Sequence, residues 1–190
     1  MSKLMIVVAS VREGRIGLPI AEWVRNEVEK HGGFEIDWAD LKEIALPLMT
    51  EPNHPKLHRY TQASTIAWSE RVDAADAFVF VQPEYNFSYS PALKNALDHL
   101  HQEWWRKPLG TVSYGGISGG TRGTTALRVP EMALGLVPTT TNVELAWAVK
   151  QVEDGEFTPR DSQRALLQAM LTELLELDRA LAPLRAARRH

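Results

Sequence analysis

Ser10-Val11-Arg12-Glu13-Gly14-Arg15-Ile16-Gly17 is the stretch on which the reading of this chain turns. Before it stands Lys3-Leu4-Met5-Ile6-Val7-Val8-Ala9, an apolar run of strand length. After it, Leu18-Pro19-Ile20-Ala21-Glu22-Trp23-Val24 begins helical spacing. A strand, a tight polar loop and a helix start, in that order, can build an anion site. The first N–H groups of a helix have no internal acceptor, and the helix dipole places partial positive charge there. A phosphate satisfies both. The Ser10 hydroxyl and the Arg12 and Arg15 guanidinium groups add donors, and the two glycines allow close approach of backbone to ligand. An ordinary polar turn between strand and helix accounts for the same residues, so spacing alone leaves both readings open. No G-x-x-x-x-G-K-[ST] occurs, and no G-x-G-x-x-G follows the strand.

The totals narrow the field. A chain of 190 residues suits one domain, taken as 1–184, with a short basic tail at 185–190 expected to fray. Apolar residues make up 44% and charged residues 24%, an ordinary globular balance. The net charge of −3 argues against nucleic acid as a partner. With no cysteine there is no disulfide, catalytic thiol or cysteine-held metal. No run approaches the ~18 apolar residues of a membrane span, and the N-terminal run is too short for a signal peptide. A cytoplasmic protein is the expectation.

Further along, helix one is predicted over about 18–31, with Ile20, Trp23, Val24 and Val28 on one face and Gly32-Gly33 at its end. Phe34–Ala39 alternates as strand two. A proline-rich loop follows to Pro55, then a weakly patterned helix over about Lys56–Ala75. Ala77–Val81 is a buried strand three, with the loop Pro83-Glu84-Tyr85-Asn86-Phe87-Ser88-Tyr89 directly after it. Ser90 and Pro91 start helix three as cap and first residue, and Leu93, Ala96, Leu97 and Leu100 form its buried face. Leu109–Tyr114 is strand four, ending in the flexible loop Gly115–Thr121. Helix four covers about Arg122–Leu134, strand five Thr140–Leu145, and a long final helix about Pro159–Leu181.

Strand and helix thus alternate five times, the pattern of a doubly wound α/β sheet with helices on both faces. Ligands of such sheets sit beyond the carboxyl ends of the strands. The unusual loops after strands one, three and four all fall on that edge.

At these loops the chain resembles the NAD(P)H-dependent FMN reductases. Ser10, Arg12, Arg15 and Gly17 match S-x-R-x-x-[RS]-x-G. Pro83-Glu84-Tyr85-Asn86, Ser88, Pro91, Leu93-Lys94-Asn95-Ala96 and Asp98 resemble P-E-Y-N-x-S…P-x-x-L-K-N-A-x-D, with Pro91 one place nearer the leucine than in that pattern. Lys107-Pro108, Ser113, Gly115-Gly116 and Gly119-Gly120 resemble a third segment. The resemblance implies a three-layer, flavodoxin-like fold with a five-stranded parallel sheet in the order 2-1-3-4-5. It implies FMN as cofactor, NADPH or NADH as co-substrate, and a quinone, azo dye, metal oxyanion or free flavin as electron acceptor. The loop Ser10, Arg12, Arg15, Ile16 and Gly17 would hold the flavin phosphate. Pro83, Glu84, Tyr85, Asn86 and Phe87 would border the ring on one side, and Ser113, Tyr114, Gly115 and Gly116 on the other. Phe87 stands where the pattern usually has a small residue, which implies a narrower space beside the flavin. A homodimer or homotetramer is implied, with Lys94, Asn95 and Asp98 at its interface. Because the cofactor carries the chemistry, no catalytic residue is assigned.

Plainer roles compete at several positions. Glu84 reads more readily as a structural hydrogen-bonding carboxylate than as a general acid. Tyr85 and Tyr89 stack on a ligand or pack within their loop. His54 and His58 sit four apart with no convincing third ligand, so no metal site is assigned. Of Trp104-Trp105, one ring suits the core. Two other functions fit the same fold: an electron carrier without its own nicotinamide reaction, and a phosphate-binding scaffold domain.

Overall fold

The computed structural model describes residues 1–187. Strand β1 (Ser2–Val8) is buried from Leu4 onward, as an almost wholly apolar strand should be when both its faces are covered. It lies between β2 (Phe34–Asp40) and β3 (Ala77–Pro83), and β3 pairs in turn with β4 (Pro108–Gly115). Two short strands, β5 (Val137–Pro138) and β6 (Val143–Ala146), both pair with the far side of β4. Every pair in this sheet is parallel, and the order is β2-β1-β3-β4-β5.

Alternation along the strands divides the core in two. Leu4, Ile6 and Val8 of β1 and Val79 and Val81 of β3 face helices α1 (Gly17–His31) and α6 (Asp161–Ala186). Met5 and Val7 of β1 and Phe78 and Phe80 of β3 face α3 (Ala63–Ala74), α4 (Pro91–Asp98) and α5 (Thr121–Leu134). Trp104 fills the centre of the second layer, its ring 5.0 Å from Phe78 and its indole N–H donating to the Leu97 carbonyl at 3.3 Å. Trp105, next to it, is only half buried.

Helix α4 begins as its sequence predicts. Ser90 Oγ accepts from the Leu93 N–H at 3.1 Å and donates to the Ala9 carbonyl at 2.7 Å, so the cap also ties α4 to the end of β1. Leu93, Ala96, Leu97 and Leu100 are all buried. Asn95 faces outward but is committed within the chain: it accepts from the Met49 N–H at 3.0 Å and donates to the Pro47 carbonyl at 2.8 Å. Lys94 and Asp98 pair with each other.

Other boundaries move, each for a local reason. The predicted helix over 56–75 forms only from Ala63. Ahead of it, a single turn at Pro55–Leu57 ends in His58 with φ 49°, and Glu51 captures the Thr61 and Gln62 N–H groups at 2.9 Å. A short helix α2 (Leu41–Ile44), absent from the sequence reading, is capped by Asp40. Strand β3 extends through Gln82 and Pro83, which pair with Ser113 and Tyr114. The fifth strand is split rather than continuous over 140–145. Glu173 of α6 takes the Thr140 and Thr141 N–H groups at 2.6 and 3.1 Å, lifting residues between β5 and β6 out of the ladder. Helix α6 runs through Pro183 to Ala186, into the segment expected as a basic tail, where Arg185 pairs with Asp178 and donates to the Arg106 carbonyl at 3.1 Å. The rest of that tail, 188–190, lies outside the described residues.

Truncating Trp104 to alanine removes the largest fully buried side chain. The expected cost is about 3–5 kcal/mol in urea unfolding; a loss below about 1 kcal/mol would contradict this packing.

Candidate functional site

The loop after β1 is shaped by Arg15. Its Nη1 donates to Asp40 Oδ1 and to the Ser10 carbonyl, both at 2.6 Å, and its Nη2 donates to Asp40 Oδ2. Both side chains are nearly buried, at 9% and 1% exposure. The Asp40 hydrogen bonds raise the Arg15 pKa, against the opposing effect of burial. The sequence expects Arg15 to donate to a phosphate. In the structure its two terminal amino groups are already committed to fastening the loop to the end of β2.

Arg12 is placed differently. It is exposed, with its guanidinium 5.9 Å from the Tyr85 ring centroid, and no carboxylate among the described residues pairs with it. Ser10 is buried, with Oγ 2.8 Å from the Tyr85 hydroxyl, which joins the first loop to the second. Helix α1 starts after Ile16 with no side-chain cap and no acidic residue in its first turn. Gly17 is required there, because a Cβ would collide with the Tyr114 hydroxyl.

Glu84 organises the opposite wall. Its N–H donates to the Tyr114 carbonyl at 2.9 Å. Its carboxylate accepts from Ser118 Oγ at 2.9 Å, Arg122 Nε at 2.7 Å, and the Arg122 and Gly123 N–H groups at 3.1 and 3.3 Å. Burial alone would push its pKa up; the Ser118, Arg122 and Gly123 donors outweigh that and hold it below the usual carboxylate value. Glu84 thus fills the start of α5 from within the protein, the structural role the sequence favours.

Tyr85 to Ser88 closes a two-residue turn through reciprocal backbone bonds of 2.8 and 2.9 Å, with Asn86 at φ 49° and Phe87 at φ 67°. This turn carries Phe87 outward: it is 63% exposed, under the Arg122 guanidinium at 3.9 Å, and does not narrow the cleft. On β4, Ser113 is buried and its hydroxyl donates to the Gly119 carbonyl at 3.0 Å. Gly120, at φ 96°, leaves room for it, since a Cβ there would come within 2.5 Å of Ser113 Cβ. The Gly115 and Gly116 carbonyls both accept from the Trp147 N–H at 3.0 Å.

These elements enclose a cleft of about 280 Å³ at the carboxyl edge of the sheet. Of the residues the sequence singles out, Ser10, Arg12, Arg15, Ile16, Pro83, Glu84, Tyr85, Tyr114 and Gly115 line it, together with Gly14. Gly17, Asn86, Phe87, Ser113 and Gly116 stand behind or beside it rather than on its surface. Tyr89 packs against the core layer under α4. Val149 is a lining residue the sequence reading missed. It follows β6, and the rule that ligands sit beyond strand carboxyl ends could have pointed to it. His54 accepts from the Lys56 N–H, and His58 Nδ1 lies 3.1 Å from Glu103. No group of three or more metal-ligating side chains occurs among the described residues, and no helix there is long and apolar enough to cross a membrane.

The donor set fits one kind of ligand. An uncapped helix start, an unpaired arginine and a serine hydroxyl face one cleft, and the neighbouring helix start is already filled by Glu84. Donors of this kind suit a phosphate monoester. A parallel doubly wound sheet in the order β2-β1-β3-β4-β5 defines a flavodoxin-like fold. The chain belongs to the NADPH-dependent FMN reductase family, whose model matches residues 2–149. It is 43% identical over 120 residues to an NAD(P)H-dependent FMN reductase of Schizosaccharomyces pombe, covering 62% of this chain and 60% of that protein. It is 43% identical over 102 residues to an NADPH:quinone oxidoreductase of Arabidopsis thaliana, covering 50% of this chain and 48% of that protein. The matched stretch therefore spans between about half and three fifths of these relatives' own length. Among solved structures, the flavoenzyme NAD(P)H:(acceptor) oxidoreductase FerB from Paracoccus denitrificans superposes with a TM-score of 0.76 at 19% identity, covering 95% of this chain and 99% of that one, a likeness of fold.

Because Glu84 ionises more readily in the folded state, its stabilising effect is complete above the ordinary carboxylate pKa. It is lost as pH falls through the depressed folded value. In urea titrations the stability advantage of the wild type over Glu84→Gln is expected to be full at pH 7 and to shrink below about pH 4. An advantage that stays constant to pH 3 would contradict the ion-pair geometry.

Proposed function

We propose that residues 1–184 act as one FMN-binding domain of an FMN-dependent NAD(P)H oxidoreductase. The observation that carries this reading is the contrast between two helix starts on one cleft: α5 is closed by Glu84, whereas α1 has no side-chain cap and stands beside Arg12 and Ser10. The start of α1, the Ser10 hydroxyl and Arg12 would hold the FMN phosphate, with Arg15 fixing the loop that presents them. Pro83, Glu84 and Tyr85 would border the flavin on one side, and Tyr114 and Gly115 on the other. When bound, FMN supplies the redox chemistry, accepting a hydride from NADPH or NADH and passing two electrons to an acceptor. This chain's residues position the partners and exclude water, and none is needed as a proton donor or base.

The acceptor is a small molecule of the quinone, azo, metal-oxyanion or free-flavin type. The names of the family and of the plant relative support that class. The protein works in the cytoplasm as a homodimer or homotetramer. The exposed Val129 and Met132 on α5 support self-association. Lys94, Asn95 and Asp98, the interface residues that the resemblance implies, also have partners within their own chain.

Two measurements test this. Protein loaded with FMN is expected to bleach rapidly on anaerobic addition of NADPH or NADH; a yellow protein that neither bleaches would be a carrier. Arg12→Ala is expected to weaken FMN binding about tenfold or more, the worth of one charge-assisted hydrogen bond, with riboflavin affinity changing far less. Equal losses for both ligands would contradict the phosphate assignment.

A further inference from the structure

Phe87 and Trp147 are exposed aromatic residues near the cleft, and both have left-handed backbone, with φ of 67° and 54°. Bulky side chains rarely adopt that region, because Cβ crowds the carbonyl. An outlier of this kind beside a binding cleft calls for a functional reason. Phe87 has its face covered by Arg122, which is itself paired with Glu84.

Trp147 is half exposed; its backbone N–H donates to the Gly115 and Gly116 carbonyls, so the main chain that carries the ring is fastened to the cleft wall while the ring is open to solvent. The ring reaches over Gly116, where a Cβ would lie 3.9 Å from it. Lys150 Nζ stands 5.4 Å from the ring centroid, and no carboxylate among the described residues pairs with it. Val149, between the two, lines the cleft itself. One turn therefore combines an exposed planar face, an ammonium group without a counter-charge and a wall shared with the site. A planar ligand that carries its own phosphate matches all three.

The geometry points to residues 147–150 as the site for the adenylate half of the reduced dinucleotide. Trp147 takes the adenine face and Lys150 the 2′-phosphate that distinguishes NADPH from NADH. This assignment rests on the oxidoreductase reading above. Stacking on an aromatic face is tolerant of base orientation, whereas a lysine reads a phosphate as a point charge. Discrimination between the two donors therefore falls to Lys150. Arg122 is the weaker candidate, because Glu84 already neutralises it.

The probes are 2′,5′-ADP and 5′-AMP, titrated into FMN-loaded protein by calorimetry, which needs no turnover. The wild type is expected to bind 2′,5′-ADP about tenfold or more tighter than 5′-AMP. Lys150→Ala should erase that difference, and the ratio of kcat/KM for NADPH over NADH should fall by the same factor. Trp147→Ala should weaken both probes, and Trp147→Phe, which keeps a planar ring, should restore most of the binding. If the protein binds FMN and both dinucleotides reduce it, but the two probes bind alike or Lys150→Ala leaves their ratio intact, this assignment fails and the oxidoreductase reading stands. If neither dinucleotide reduces the loaded protein, the oxidoreductase reading fails and takes this one with it.

Discussion

The ion pair between Arg15 and Asp40 is the constraint from which the rest of the cleft follows. It joins the loop after β1 to the end of β2, and the same guanidinium holds the Ser10 carbonyl. Both partners are almost removed from water, so breaking the pair would leave a buried charge, at a cost of about 3–5 kcal/mol. A loop held this firmly has one shape. That shape keeps Ser10 against Tyr85, leaves Arg12 outside, and aims the start of α1 at the cleft. The two arginines of the loop thus divide the work: one is consumed in making the cradle, and the other remains available to a ligand.

Glu84 performs the complementary task on the facing wall. It ties the ends of β3 and β4 together through its own N–H and closes the start of α5 with its carboxylate. Positive potential at that helix start is neutralised internally, and what remains open on this rim is the start of α1. The walls are joined directly as well, through Ser10 to Tyr85 and through the close approach of Tyr114 to Gly17. The cleft is therefore a connected unit in which loops from three strands brace one another.

What could be read from sequence was local. The apolar runs of β1, β3 and β4, the Ser90-Pro91 helix start and the buried stripe of α4 each sit within a few residues, and each appears where expected. The alternation of elements was enough to place the loops after β1, β3 and β4 on one edge of the sheet. What escaped depends on distant partners. Arg15 and Asp40 are 25 residues apart, so nothing in the loop itself shows that Arg15 is spent. The split of the fifth strand depends on Glu173, more than thirty residues further on. Val149 and Trp147 reach the cleft only because β6 pairs with β4 and carries the following turn to the same edge. Phe87, adjacent to the site in sequence, is turned away from the cleft by the two left-handed residues of its own turn.

The most direct measurement is a crystal structure of the protein grown with FMN. The ligand phosphate is expected at the start of α1, within hydrogen-bonding distance of Ser10 Oγ and the Arg12 guanidinium, with Arg15 still bound to Asp40 and the flavin between Tyr85 and Gly115. A cleft that stays empty at saturating FMN, or a phosphate that draws Arg15 away from Asp40 while Arg12 remains in solvent, would contradict it.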